Sequence, residues 1–187
     1  MASSYSTDLK LELMVTGENS GTWGNKTNTN LNLVQQAIAG YEAISIAGGA
    51  DTTVLAMTDG TISNARNAVI KFTGAITGNQ VVTIPNGIEK TYIVSNGTTG
   101  AYTVQFKTVS GTGVTFATDD KGVKLLFSDG TNVVDTSLGV STNPGGSNTQ
   151  VQFNSSGSFG GSANLTFDGT NLSLAAQGDL RLQDASG

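Results

Sequence analysis

Between Tyr41 and Thr136 the large apolar residues come two apart. Ile44/Ile46, Ile70/Phe72, Val82/Ile84, Tyr102/Val104/Phe106, Val114/Phe116 and Val123/Leu125/Phe127 each alternate with polar or small neighbours. That period is one face of a β-strand, and the runs are short. Among them sit the turn dipeptides Asp59-Gly60, Asn86-Gly87, Asn96-Gly97 and Asp129-Gly130. Asn-Gly and Asp-Gly reach the positive φ angles of type I′ hairpins. The pattern predicts a mainly β chain, with about eight or nine strands over 41–136 folded as an antiparallel β-sandwich.

The first forty residues read differently. Leu9, Leu11 and Leu13 alternate with polar partners and predict a short strand. A glycine-punctuated loop, Gly17 to Gly24, carries the chain's single tryptophan, Trp23. Asn28-Thr29-Asn30 then offers N-cap chemistry, and Leu31, Val34 and Ile38 follow at helical spacing, with Leu33 and Ala37 beside them. Gly40 is placed to stop the helix. Ten or so residues make a marginal helix in water, so its apolar stripe must dock on something. Trp23 either anchors an interface or caps its own helix; stacking on a sugar is a third reading.

After Thr136 the composition thins. A linker over 137–147 centres on Asn143-Pro144-Gly145-Gly146, and 148–187 holds Val151/Phe153, Phe159, Leu165/Phe167, Leu172/Leu174 and Leu180/Leu182. The strings FSDGTNVV (127–134) and FDGTNLSL (167–174) share an Asp-Gly turn with a Thr-Asn exit. About forty residues with one apolar face cannot enclose a sufficient core, so association of several chains is expected to supply the missing surface. Ala185-Ser186-Gly187 ends without a cap, as if the chain continued.

The zeros in the composition remove whole classes of chemistry. There is no His and no Cys among the 187 residues. The side chain that titrates near neutrality is therefore missing, as are thiolate nucleophiles, disulfides and Cys-based metal sites. Nine basic residues, scattered singly under a net charge of −5, argue against nucleic-acid binding. No apolar run approaches the length of a bilayer span, and MASSYSTDLKLELM lacks the basic and apolar regions of a secretory signal, so a soluble product without membrane insertion is expected. Asp119-Asp120 is the adjacent acidic pair, and Thr118 with Lys121-Gly122 makes it a turn rather than a glycan-cleaving dyad or a calcium loop. Gly24-Asn25-Lys26-Thr27 breaks the spacing of a phosphate loop. No catalytic, cofactor or metal residue emerges, and no activity is expected. Stability should be nearly flat between about pH 6 and 8, where no unperturbed side chain of this chain titrates.

Three stretches bear a likeness to a known family. TGENSGTWGNKTNTNLNLVQQAIAGYEAISIAGG (16–49), with its G-x-x-S-G-T-W-G opening and short helix ending in Gly-Tyr, resembles the N-terminal module of tailed-bacteriophage tail fibres and related virion structural proteins. ADTTVLAM, NARNAVIKFTGAITG and GIEKTYIVSNGTTGAYTVQFKT are similar to the β-domain that follows in such proteins. NTQVQFNSSGSFGGSANLTFDGTNLSL (148–174) resembles a fibre-shaft repeat. The resemblance implies an attachment module over 1–40, a β-domain over 41–136 and the start of a shaft over 148–187. It implies docking to the phage tail, baseplate or an adaptor through Gly21, Thr22, Trp23, Gly24 and Asn25, with Leu31, Val34 and Ile38 alongside. It also implies a homotrimer, whose axis would bury Phe153, Phe159, Phe167, Leu172 and Leu174, and a distal region that meets a host receptor. The place implied is the virion, assembled in the host cytoplasm. A glycan-binding β-sandwich adhesin, or the anchor of a polysaccharide-degrading tailspike, are the alternatives.

Overall fold

The computed structural model describes residues 3–136, 145–156 and 158–175. Most of the expected linker, the Leu180/Leu182 pair and the Ala185-Ser186-Gly187 end lie outside the described residues. The chain divides into two units, Met1–Leu138 and Gly139–Gly187. The expected boundary at Gly40 is not a division of that kind, because the first forty residues belong to the first unit.

In that unit a small hairpin, β1 (Ser4–Tyr5) with β2 (Glu12–Leu13), precedes helix α1 (Trp23–Ala39). The Leu9/Leu11/Leu13 alternation therefore yields a strand only at its end, since Lys10 has φ 54 and turns the chain. Then come β3 (Tyr41–Ser45), β4 (Asp51–Val54), β5 (Val69–Ala75), β6 (Gln80–Ile84), β7 (Glu89–Thr99), β8 (Val104–Thr108), β9 (Gly113–Phe116), β10 (Val123–Asp129) and β11 (Val133–Asp135). One sheet has the order β11-β10-β7-β5-β3, and the other β4-β6-β8-β9.

The chain is mainly β, and two sheets share one core, but the expected antiparallel pairing is corrected. Tyr41 pairs with Val69 and Val69 with Ile93, all parallel; Asp51, Gln80 and Val104 do the same in the second sheet. Each pass lays one strand in each sheet and the next pass stacks beside it, giving three parallel coils. In these two sheets the pairings made by β9, β10 and β11 are the antiparallel ones. The physical reason lies in the turns. Asn96-Gly97 is inside β7, Asn86-Gly87 joins strands of different sheets, and Asp59-Gly60 leads into a 3-10 turn at Asn64–Arg66. Of the four dipeptides, Asp129-Gly130 is the one that closes a hairpin, with Gly130 at φ 84 and the Asp129 carboxylate accepting from the Thr131 and Asn132 amides.

The coils touch closely at their corners. A Cβ on Gly100 would lie 2.3 Å from the Ile76 carbonyl oxygen, so only glycine lets the third coil stack on the second. The buried Gln80 amide donates to the Gly48 carbonyl at 3.3 Å and also to that of Gly49, tying the second coil to the first. Between the sheets the rings of Phe72 and Tyr92 meet Phe106 from the facing sheet, with centroids 6.0 and 5.5 Å apart.

The Val123/Leu125/Phe127 face is the outer one, which is a second correction. Leu126 is fully buried and pairs with Tyr92, whereas Phe127 is 39% exposed. The core-facing alternation in β10 is therefore Lys124, Leu126 and Ser128, with the Ser128 hydroxyl donating to the Ile88 carbonyl at 2.7 Å and so satisfying its burial. A polar residue on the inward side hid the register.

Buried Lys90 bears on pH dependence. Its ammonium donates to the Asn67 and Thr91 carbonyls and lies 4.0 Å from the Tyr92 ring centroid. Desolvation pulls its pKa down to about 8. The unfolded chain then holds this proton more tightly than the folded one, so stability rises with pH from about 8 to the ordinary lysine range. Urea unfolding across pH 7 to 10 should show this rise, and Lys90→Met should remove it; an unchanged slope in the variant would reject the assignment. For the register, Leu126→Ala is expected to cost ~2–5 kcal/mol and Phe127→Ala clearly less. Equal losses in the same urea experiment would contradict the inward placement of Leu126.

Candidate interaction surfaces

The helix begins earlier than its sequence signals. Positive φ at Gly17, Asn19 and Gly21 folds the preceding loop, and Thr22 is the N-cap without a side-chain capping bond. Trp23 is thus the first helical residue rather than a loop residue, and Asn28-Thr29-Asn30 lies mid-helix. Those residues are poor helix formers, and tertiary contacts override them. Asn30 exchanges two hydrogen bonds with the Glu12 backbone at 3.0 and 2.8 Å, and Lys26 pairs with the Glu12 carboxylate at 2.8 Å. The Lys26 hydrogen bond, helped by one from Ser3, holds the Glu12 carboxyl below its usual range.

Further along, Leu33 is buried and the Gln36 amide bonds both the N–H and the carbonyl of Ser63. Gly40 ends the helix in an extended conformation, and a Cβ there would lie 2.2 Å from the Gln36 carbonyl oxygen. Lys26, Asn30, Leu33 and Gln36 therefore form the face held against the chain's own residues.

At about 100° per residue, Trp23, Leu31, Val34 and Ile38 fall within one narrow arc beside that face. Trp23 is 65%, Leu31 60% and Ile38 74% exposed, with Val34 half-buried between them. The sequence grouped Leu31, Val34 and Ile38 correctly as one stripe, but Leu33 is the residue that docks within the chain. Trp23 does not cap its own helix by burial. Gly21 and Thr22 belong to the exposed loop, and Asn25 is exposed in the first turn. Gly24 has nothing within 4 Å of where a Cβ would stand, and its φ is not among the positive ones. Among the described residues nothing requires a glycine there.

In the second unit β12 (Gln150–Ser155), β13 (Ser158–Phe167) and β14 (Leu172–Leu174) form one antiparallel sheet. The β13–β14 turn repeats the device at Asp129, since the Asp168 carboxylate accepts from the Thr170 and Asn171 amides and Gly169 has φ 97. Paired residues share a face, and faces alternate along a strand. Leu165 pairs with Leu174 and Phe167 with Leu172, putting these four on one face. Gln150 pairs with Thr166 of the opposite face; the register shifts between Gln150 and Gln152, with the extra residues in β13, so alternation along β12 puts Phe153 on the apolar side. Phe159 pairs with Asn154 and lies on the polar side, apart from the other expected axis residues. On that polar side Gln152 exchanges hydrogen bonds with the Gly145 backbone at 2.8 and 2.7 Å, and Gln150 accepts from the Ser147 amide. The unit's own chain lies along one face, while Phe153, Phe167, Leu172 and Leu174 on the other stay 41–64% exposed.

The Asp119-Asp120 turn is tied by an Asp120–Lys124 ion pair at 2.8 Å. Among the described residues no cluster of three or more metal-ligating side chains is present, and no helix is long and apolar enough to cross a membrane. Sequence reasoning missed Arg66, whose guanidinium is fully buried. It donates to the carbonyls of Leu9 at 3.0 Å, Thr58 at 2.7 Å and Thr61, and to the Gln36 amide oxygen at 3.4 Å. Comparison with models of known families, with curated proteins and with solved structures finds no match.

Replacing Arg66 by Ala removes a fully buried side chain and leaves the carbonyls of Leu9, Thr58 and Thr61 without this donor, and should cost ~3 kcal/mol or more. Hydrogen exchange in α1 should accelerate with it. Unchanged protection of the helix would show that the guanidinium does not hold it.

Proposed function

We propose that the chain is a structural protein of a tailed-phage fibre, with α1 as its attachment surface and the second unit as the start of a trimeric shaft. The observation that carries this reading is the exposed arc of Trp23, Leu31 and Ile38 on a helix whose other side is locked by Glu12 and Ser63. Among the described residues of the first unit nothing covers this apolar stripe, and a pinned helix presents it with little ordering cost on binding. Its occupant on this reading is a tail, baseplate or adaptor protein of the virion. Gly24 supports it, because a helical glycine costs stability and is useful where a partner's backbone approaches closely. The resemblance of 16–49 to fibre attachment modules supplies the identity of the partner.

The shaft reading rests on the one-sided sheet of the second unit. Three copies meeting along an axis would cover Phe153, Phe167, Leu172 and Leu174, with Leu165 beside them, and Phe159 would remain outside that axis. The chain is read as non-enzymatic, with no cofactor, and as resident in the virion.

Trp23→Ala should leave the first unit folded and lower incorporation into purified particles by ~2 kcal/mol or more of docking energy. Gly24→Ala separates docking from folding, since it should leave the helix unharmed or slightly more stable while weakening incorporation. Normal incorporation of both variants would count decisively against the docking role. Sedimentation of the full chain should give trimers, and Phe167→Ser with Leu172→Ser should give monomers; a monomeric unaltered chain at micromolar concentration would sink the shaft reading.

A further inference from the structure

The side of α1 turned away from Trp23 borders an open cleft of about 340 Å³. Asn32, Gln35 and Gln36 come from the helix, Tyr41 from the start of β3, and Ile62 and Asn67 from the return between β4 and β5. Trp23 and Asn32 are nine residues apart, about two and a half turns, so the cleft and the apolar stripe are on different sides of the helix.

The back of the cleft is fixed. Gln36 is engaged with Ser63 and Arg66, Asn67 donates to the Asn64 carbonyl at 3.1 Å, and the Asn67 carbonyl is held by Lys90. The rim is free. Asn32 and Gln35 are exposed, and among the described residues neither side-chain amide has a hydrogen-bond partner. Tyr41 is 58% exposed and offers a ring beside them, with exposed Ile62 as the other apolar surface. No Asp, Glu, Lys or Arg lines the cleft. A charged ligand would find no counter-ion there, and a purely apolar one would desolvate two amides without replacing their bonds. Each amide presents a donor and an acceptor side by side, which matches vicinal hydroxyls, and an aromatic ring suits the C–H face of a pyranose.

We propose that this cleft binds a neutral saccharide, one sugar ring stacked on Tyr41 with its hydroxyls bonded by Asn32 and Gln35. This does not depend on the fibre reading, since neither Trp23 nor the second unit takes part.

The test is amide-correlation NMR on the full chain, titrated separately with glucose, galactose, N-acetylglucosamine and, as the charged comparison, N-acetylneuraminic acid. The expected result is a saturable shift with at least one neutral sugar, centred on the Asn32 and Gln35 side-chain amides and the Tyr41 backbone. Tyr41→Ala should weaken binding by about tenfold or more, Tyr41→Phe should largely keep it, and Trp23→Ala should leave it unchanged. Asn32→Ala provides a second loss of affinity should Tyr41→Ala fail to fold. No saturable shift with any neutral sugar, binding of the charged sugar alone, or unaltered binding in the variants that lack the Tyr41 ring or the Asn32 amide would overturn the proposal.

Discussion

The placement of α1 depends on one buried cation. A guanidinium with no accessible surface costs several kcal/mol of desolvation unless its N–H groups are matched. Arg66 meets that condition with neutral acceptors, the carbonyls of Leu9, Thr58 and Thr61 and the Gln36 amide oxygen, rather than with a carboxylate. Desolvation accordingly lowers its pKa, although an arginine stays charged. The acceptors come from the N-terminal segment, the β4–β5 return and the helix, so one side chain fixes three elements that share no sheet. Which arc of the helix is left in solvent, and where the amide cleft opens, follow from that fixation.

The strands were legible because side-chain alternation survives whichever way neighbouring strands run. Ile70, Phe72, Val82, Ile84, Val104 and Phe106 all face the core as their spacing requires. Direction was not legible from the same pattern. It is set at the ends of strands, where a chain either returns beside the strand it left or crosses to the facing sheet. Asn86-Gly87 carries a hairpin signature and serves a crossing, and Gly87 uses its positive φ there all the same. The corner glycines are a clearer signal in retrospect, since Gly74, Gly78 and Gly100 each abut the preceding coil where a Cβ would overlap it. In β10 the hydrophobic count favoured the wrong face. Leu126 is flanked on its own side by Lys124 and Ser128, whose polar ends find partners at Asp120 and the Ile88 carbonyl.

The helix shows the same limit in a different geometry. Leu31, Val34 and Ile38 form one arc and Leu33 with Ala37 another, and periodicity cannot say which arc the protein keeps for itself. The deciding residues are polar: Lys26, Asn30 and Gln36 flank Leu33 and meet Glu12 and Ser63, residues far away in sequence. No local signal announces such pairs. Trp23 stood out as unusual from composition alone, but its place at the first turn rather than in a loop required the positive φ angles of Asn19 and Gly21.

The two units stand in unlike thermodynamic positions. In the first, Phe72, Tyr92, Phe106, Phe116 and Leu126 are fully enclosed between sheets, which gives a core that one chain can complete. In the second, the pairing that aligns Leu165, Phe167, Leu172 and Leu174 leaves them without a facing layer among the described residues of that unit. A three-stranded sheet with one uncovered apolar face recovers little of the entropy lost in ordering it. On the trimeric reading proposed above, other copies would supply the missing layer, and association would then add to stability by mass action. The scarcity of charge has a bearing on that step. With charged residues at only 12%, copies meeting on that reading would have few like charges to separate, and the match of apolar faces rather than long-range steering would set which surfaces meet.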